Sequence, residues 1–130
     1  MNEQARILSI EDDAEMRGLI QLILERKGHR VMGVKRGELG LELLRSLKPD
    51  VLLLDLMLPD MDGWEIYRRM KADPELASVP VIIVSAKNKD HDAANGFQIQ
   101  GEDKFLQKPF EVADLINTVY EALERTPIKY

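Results

Sequence analysis

Three consecutive acidic residues, Glu11, Asp12 and Asp13, stand directly behind a short apolar run, and Asp55 ends a second run, Val51-Leu52-Leu53-Leu54. Ser85 follows a third run and Lys108 a fourth. A single carboxylate behind a strand is most simply a turn former or helix cap. The convergence says more, because residues that each follow a strand of one parallel sheet gather at one edge of it. Carboxylates around a small cavity repel one another and need a compensating cation. With no cysteine and only His29 and His91 as imidazoles, that cation must be held mainly by oxygen, which suits Mg2+. Lys108 could supply further positive charge. Asp55 could then act as a nucleophile or phosphate carrier, with metal and cationic groups neutralising the transferred phosphoryl oxygens and an acyl phosphate as product.

Other chemistries lack their frames. No GxxxxGK loop and no GxGxxG turn follows the first apolar run, so ATP is not the expected donor. Ser85 sits in VSAKN without the GxSxG frame, and neither histidine is placed for a recognisable triad.

The elements that must position these residues alternate between short apolar runs and amphipathic stretches of helical length. Strands are expected at Arg6–Ile10, Arg30–Val34, Val51–Asp55, Val81–Val84 and Lys104–Leu106. Helices are expected over Ala14–Lys27, with Leu19, Ile20, Ile23 and Leu24 on one stripe, and over Gly37–Leu47, where Leu43, Leu44 and Leu47 share a face. Gly40 inside that helix should cost about 1 kcal/mol relative to Ala. Further helices are expected over Trp64–Lys71, ended by Asp73-Pro74, over the polar stretch Asn88–Gln100, and over Glu111–Glu124. Trp64 is expected to pack across the mouth of the site. Asp60 and Asp62 lie in a loop with Pro59 and Gly63, where capping is a better reading than metal ligation. Five strand-helix units with short crossovers predict an α/β fold, an open parallel sheet with helices on both faces. Such sheets bind ligands outside the carboxyl ends of their strands.

The chain has 130 residues, 45% hydrophobic and 32% charged, which fits one globular domain and leaves no room for a second with its own core. A fused catalytic or DNA-binding module is therefore not expected. A formal net charge of -5 disfavours direct nucleic-acid binding. The N-terminus lacks the apolar core of a signal peptide, and no run is long enough to span a bilayer, so the cytoplasm is the expected location and no membrane partner is foreseen.

Taken together, ILSIEDD, LLLDLMLPDMDG, VIIVSA and FLQKPF resemble the receiver domain of two-component response regulators over essentially the whole chain. In size the chain is similar to single-domain chemotaxis-type and sporulation-type receivers. The resemblance implies a flavodoxin-like doubly wound (βα)5 sheet of order 2-1-3-4-5 flanked by five helices, over residues 1–125, with 126–130 as a tail. It implies that Asp55 is the phosphoacceptor, that Asp12 and Asp13 are the acidic pair holding Mg2+ with Asp55, and that the Met57 backbone carbonyl completes the protein ligands. Glu11 is then a neighbour. Ser85 and Lys108 correspond to the switch hydroxyl and the lysine that meet the phosphoryl group, and Phe105 to the switch aromatic, which would turn inward. The implied partners are a sensor histidine kinase or a histidine phosphotransfer protein, with an output protein or a homodimer on the surface of the fourth helix, fifth strand and last helix.

Two departures accompany the match. The segment Gly96–Asp103 is one residue longer than usual, with Glu102 at the usual Ala, and Gly40 replaces a common helical Ala. A phosphorylation-independent scaffold is one alternative function, opposed by the complete set Asp12, Asp13, Asp55, Ser85 and Lys108. An aspartyl-nucleophile metal-dependent hydrolase is another, opposed by Met57 where that class carries a second Asp.

Overall fold

Each predicted apolar run is a strand in the computed structural model, which describes residues 4–86 and 99–124. The strands are β1 (Arg6–Ile10), β2 (Arg30–Val34), β3 (Val51–Asp55), β4 (Val81–Ser85) and β5 (Lys104–Gln107). The helices among the described residues are α1 (Ala14–Glu25), α2 (Gly37–Leu47), α3 (Gly63–Ala72) and α4 (Val112–Glu124). All neighbouring strands are parallel, in the order β2-β1-β3-β4-β5. The predicted fold class and strand order are those observed. The helix expected over Asn88–Gln100 falls on residues outside the described ones, apart from Ile99 and Gln100, which are not helical.

Strand alternation sends side chains to two separate cores. Leu8, Ile10, Leu52, Leu54, Val81 and Ile83 meet α2 and α3 through Leu41, Leu44, Ile66, Tyr67 and Met70. Ile7, Val51, Leu53, Ile82 and Val84 meet α1 and α4 through Ile20, Ile23, Leu24, Leu115, Val119 and Ala122. With helices on both faces, β3 and β4 are buried along their whole length, which is why they read as unbroken apolar runs.

Helix faces depart from expectation where periodicity allows two choices. Leu19 is 43 % exposed and falls outside the α1 stripe, which runs through Ile20, Ile23 and Leu24. On α2 the buried positions are Gly37, Gly40, Leu41 and Leu44, with Leu43 and Leu47 at the margin. Gly40 corrects the simple propensity argument, since a Cβ there would lie 2.3 Å from Ile10 Cδ1 and 2.8 Å from its Cγ1. The glycine lets α2 approach β1. Trp64 also lies deeper than expected, 5 % exposed in the α2 and α3 core, edge-on to Tyr67 with ring centroids 5.6 Å apart.

Candidate functional site

Parallel register sets the level of each chemical group. Ile10 is level with Leu54 and Asp55 with Val84, so Glu11 emerges beside Asp55; Ser85 is level with Gln107, one residue before Lys108. The Glu11 amide still donates to Val34 O at 2.9 Å, which continues the sheet one residue past β1 and holds the Glu11 side chain inward at 2 % exposure. The Lys108 amide donates to Ser85 O at 2.8 Å, and the Lys108–Pro109 bond is cis. Four strand ends thereby place their groups at one edge of the sheet.

Glu11, Asp12 and Asp55 form the carboxylate cluster, each offering one oxygen within 4.8 Å of the others. Lys108 Nζ lies 2.7 Å from Glu11 Oε1 and 3.7 Å from Asp55 Oδ2. Glu11 Oε2 accepts from the Asp13 amide at 3.2 Å, and Asp55 Oδ1 from the Met57 amide at 3.1 Å. Burial pushes the Asp55 carboxyl up to about 7, reinforced by its hydrogen bond with Glu11 and by the Glu11 charge; the Met57 amide and Lys108 pull the other way. Burial is thus the leading cause, and the Glu11 carboxylate adds to it.

The expected acidic pair is corrected by this geometry. Asp13 Oδ1 accepts from the Glu15 and Met16 amides at 2.9 and 3.4 Å as the N-cap of α1, so the pair facing Asp55 is Glu11 and Asp12. Glu11 is a member of the cluster and more than a neighbour to it. The available signal was that Asp13 directly precedes the first helical residue, where Asp is a favoured cap.

The loop after Asp55 is shaped by backbone contacts. Met57 bridges to Asp62, and the Gly63 amide donates to Leu56 O at 3.0 Å. A Cβ on Gly63 would sit 2.5 Å from Asp55 O and 2.6 Å from Leu56 Cα, so only glycine allows α3 to start so close to β3. Asp62 Oδ1 caps α3 through the Trp64 amide at 2.9 Å. Asp60 caps a different helix: its two oxygens accept from the Gly37 and Glu38 amides at 2.8 and 3.0 Å, and these bonds hold its carboxyl below the usual range. Arg36, the N-cap of α2, makes no side-chain cap bond of its own. Ser85 is fully buried at the end of β4, and Phe105 packs half-buried against the α2 and α3 core. Met57 is exposed.

An all-oxygen cluster of three carboxylates, with one carboxyl pushed upward by burial and a like charge, fits a small divalent cation, which removes the repulsion that raises Asp55. A family model, response regulator receiver domain, matches residues 7–120. The chain belongs to that family. This receiver is 42% identical over 105 residues to the transcriptional regulatory protein AfsQ1 of Streptomyces coelicolor, covering 81% of this chain and 45% of that protein. It is 34% identical over 119 residues to protein PilH of Pseudomonas aeruginosa, covering 92% and 98%. The receiver spans about half the length of the first curated relatives it matches.

Solved structures agree. A putative response regulator from Chloroflexus aurantiacus superposes with a TM-score of 0.85 at 28% identity, covering 95% of this chain and 100% of that one. The receiver domain of sensor histidine kinase PA1611 from Pseudomonas aeruginosa gives 0.84 at 28% identity, with 94% and 99% covered, and has a magnesium ion coordinated in its active-site cleft.

Proposed function

We propose that this receiver accepts a phosphoryl group on Asp55 from a phosphohistidine of a sensor kinase or phosphotransfer protein, in a Mg2+-dependent reaction, and thereby switches its output surface. The reading is carried by the cluster of Glu11, Asp12 and Asp55, one oxygen from each within 4.8 Å of the others, with Lys108 Nζ 3.7 Å from Asp55. Glu11, Asp12, Asp55 and the Met57 carbonyl would hold the ion, with Asp13 committed to its helix. When bound, Mg2+ supplies charge neutralisation for the transferred phosphoryl oxygens.

An Asp55 carboxylate oxygen attacks phosphorus as the P–N bond to the donor imidazole breaks. The nitrogen keeps the bonding pair, and an acyl phosphate forms. In hydrolysis water attacks phosphorus, the bond to Asp55 breaks with its electron pair returning to the carboxylate, and inorganic phosphate leaves as the proton of water passes to solvent. Ser85 and Lys108 meet the new phosphoryl oxygens, and those contacts bias an existing inactive-to-active equilibrium in which Phe105 turns inward. The receiver itself assists both steps, so its activity is that of a signalling switch. Output passes to a partner protein or a second copy of the chain.

Incubation with Mg2+ and acetyl phosphate is expected to add one phosphoryl group, labile to hydroxylamine, and Asp55→Asn to abolish the addition. Unchanged labelling of that variant would overturn the assignment. Phosphotransfer from candidate kinases, with self-association measured before and after, then identifies the partners.

A further inference from the structure

Arg17 lies on the first turns of α1, yet its guanidinium points back to the loop that carries the acidic pair. Its Nη1 donates to Glu11 O at 2.9 Å and to Asp12 O at 3.3 Å. The aliphatic stem is seated on β2: a Cβ on Gly33 would lie 2.7 Å from Arg17 Cγ and 3.0 Å from Cδ. Ser9, level with Gly33 in the neighbouring strand, is another small residue on that face, fully buried. Gly33 therefore gives the stem a slot, and the slot aims the planar donor group at two consecutive carbonyls.

We propose that Arg17 is a positioning residue for cation binding, clamping the Glu11–Asp12 backbone so that both side chains face Asp55, with Gly33 as the seat that makes the clamp possible. This rests on the reading of Glu11 and Asp12 as cation-holding residues. Arg17 touches no reacting group and acts through the loop alone. The geometry carries the inference because the only side-chain hydrogen bonds described for Arg17 end on the two carbonyls of the acidic pair. Its charge works against it: a guanidinium near a cation site repels the cation, so a purely electrostatic role and a positioning role predict opposite signs on its removal.

The test is a calorimetric titration of the whole chain with MgCl2, below the unfolding transition, with thermal unfolding followed in parallel. Arg17→Met keeps the stem in its slot and removes the donors. It is expected to weaken Mg2+ binding roughly tenfold, in the range found when partners of metal ligands are removed, and Arg17→Lys to recover part of the loss. Binding by Arg17→Met as tight as or tighter than wild type would overturn the clamp. Gly33→Ala supplies an independent arm that also serves if Arg17→Met fails to fold. It is expected to weaken Mg2+ binding when Arg17 is present and to have no effect in an Arg17→Ala background, where no stem remains to be displaced. An equal effect in both backgrounds rejects the seat. Wild type that binds no Mg2+ at millimolar concentration would reject the cation-holding reading itself, a failure distinct from a receiver that binds Mg2+ without needing Arg17.

Discussion

Asp55 sits under a conflict that defines how the metal-free receiver should respond to pH. Its carboxyl is pushed from 3.8 to about 7, first by burial and then by Glu11. Below pH 3.8 both folded and unfolded chains hold this proton and it contributes nothing. Between 3.8 and about 7 the unfolded chain sheds the proton that the folded chain still keeps, so the contribution of Asp55 to stability falls as pH rises, and its full cost is present above 7. Asp55→Asn removes that dependence. In urea unfolding without metal, the variant is expected to gain on wild type from pH 5 to pH 8; a difference that stays constant across that range would contradict the account. Asp55, Ser85 and Lys108 were legible in the sequence because each closes an apolar run, and strand ends fix position well. Glu11, Asp12 and Asp13 look alike as three adjacent carboxylates, and only the expected helix start at Ala14, which makes Asp13 its cap, separates them.

Elements are where local preference and tertiary packing compete most openly. Helix propensity alone favours replacing Gly40 by Ala, by about 1 kcal/mol. The added Cβ would meet Ile10 Cδ1 at 2.3 Å, and Ile10 is itself completely buried in the core under α2. Overpacking of that kind costs about 1–3 kcal/mol, so packing wins. Gly40→Ala is expected to lower the midpoint of thermal unfolding, and a rise would show that α2 can slide away from β1 freely. The strands were legible almost to the residue, because burial on both faces leaves β3 and β4 no polar position before their last residues, Asp55 and Ser85. Helix faces were less so. Leu19 and Ile20 are equally apolar, and only the sheet beneath α1 decides that Ile20 is buried and Leu19 exposed. Gly33 carried no sequence signal and Gly40 stood out only as a weak point of its helix, for the same reason: each answers to a side chain on a different element.

Across the whole molecule the two edges of the sheet are built in opposite ways. At the amino edge, Asp103 is 7 % exposed and fully engaged. It accepts from Tyr67 Oη at 2.7 Å and the Val81 amide at 2.9 Å, and pairs with Lys71 at 2.7 Å. Lys71 also donates to Ala77 O at 3.2 Å. Buried charge satisfied this completely adds a fixed point between α3, β4 and β5. Its members are scattered along the chain, and no spacing rule joins them in the sequence. At the carboxyl edge, Glu11, Asp12 and Asp55 remain in conflict, with Lys108 as the basic side chain paired to Glu11 and Asp55. Charge is fully paired at one edge, while at the other, among the described residues, three carboxylates share the single ammonium of Lys108. Asp60 connects this second edge to α2. It belongs to the loop that follows Asp55 but bonds the first amides of α2, and the same loop is tied to Asp55 through the Met57 amide. A covalent group on Asp55 would compete for that tie, and the expected result is a looser hold of the loop on α2. Gly37 and Glu38 amides should then exchange with deuterium faster after phosphorylation, and unchanged exchange would show the two ends of the loop to be uncoupled. Two protons on a neighbouring helix would thereby become a spectroscopic meter of the Asp55 carboxylate, readable without labelling the site itself.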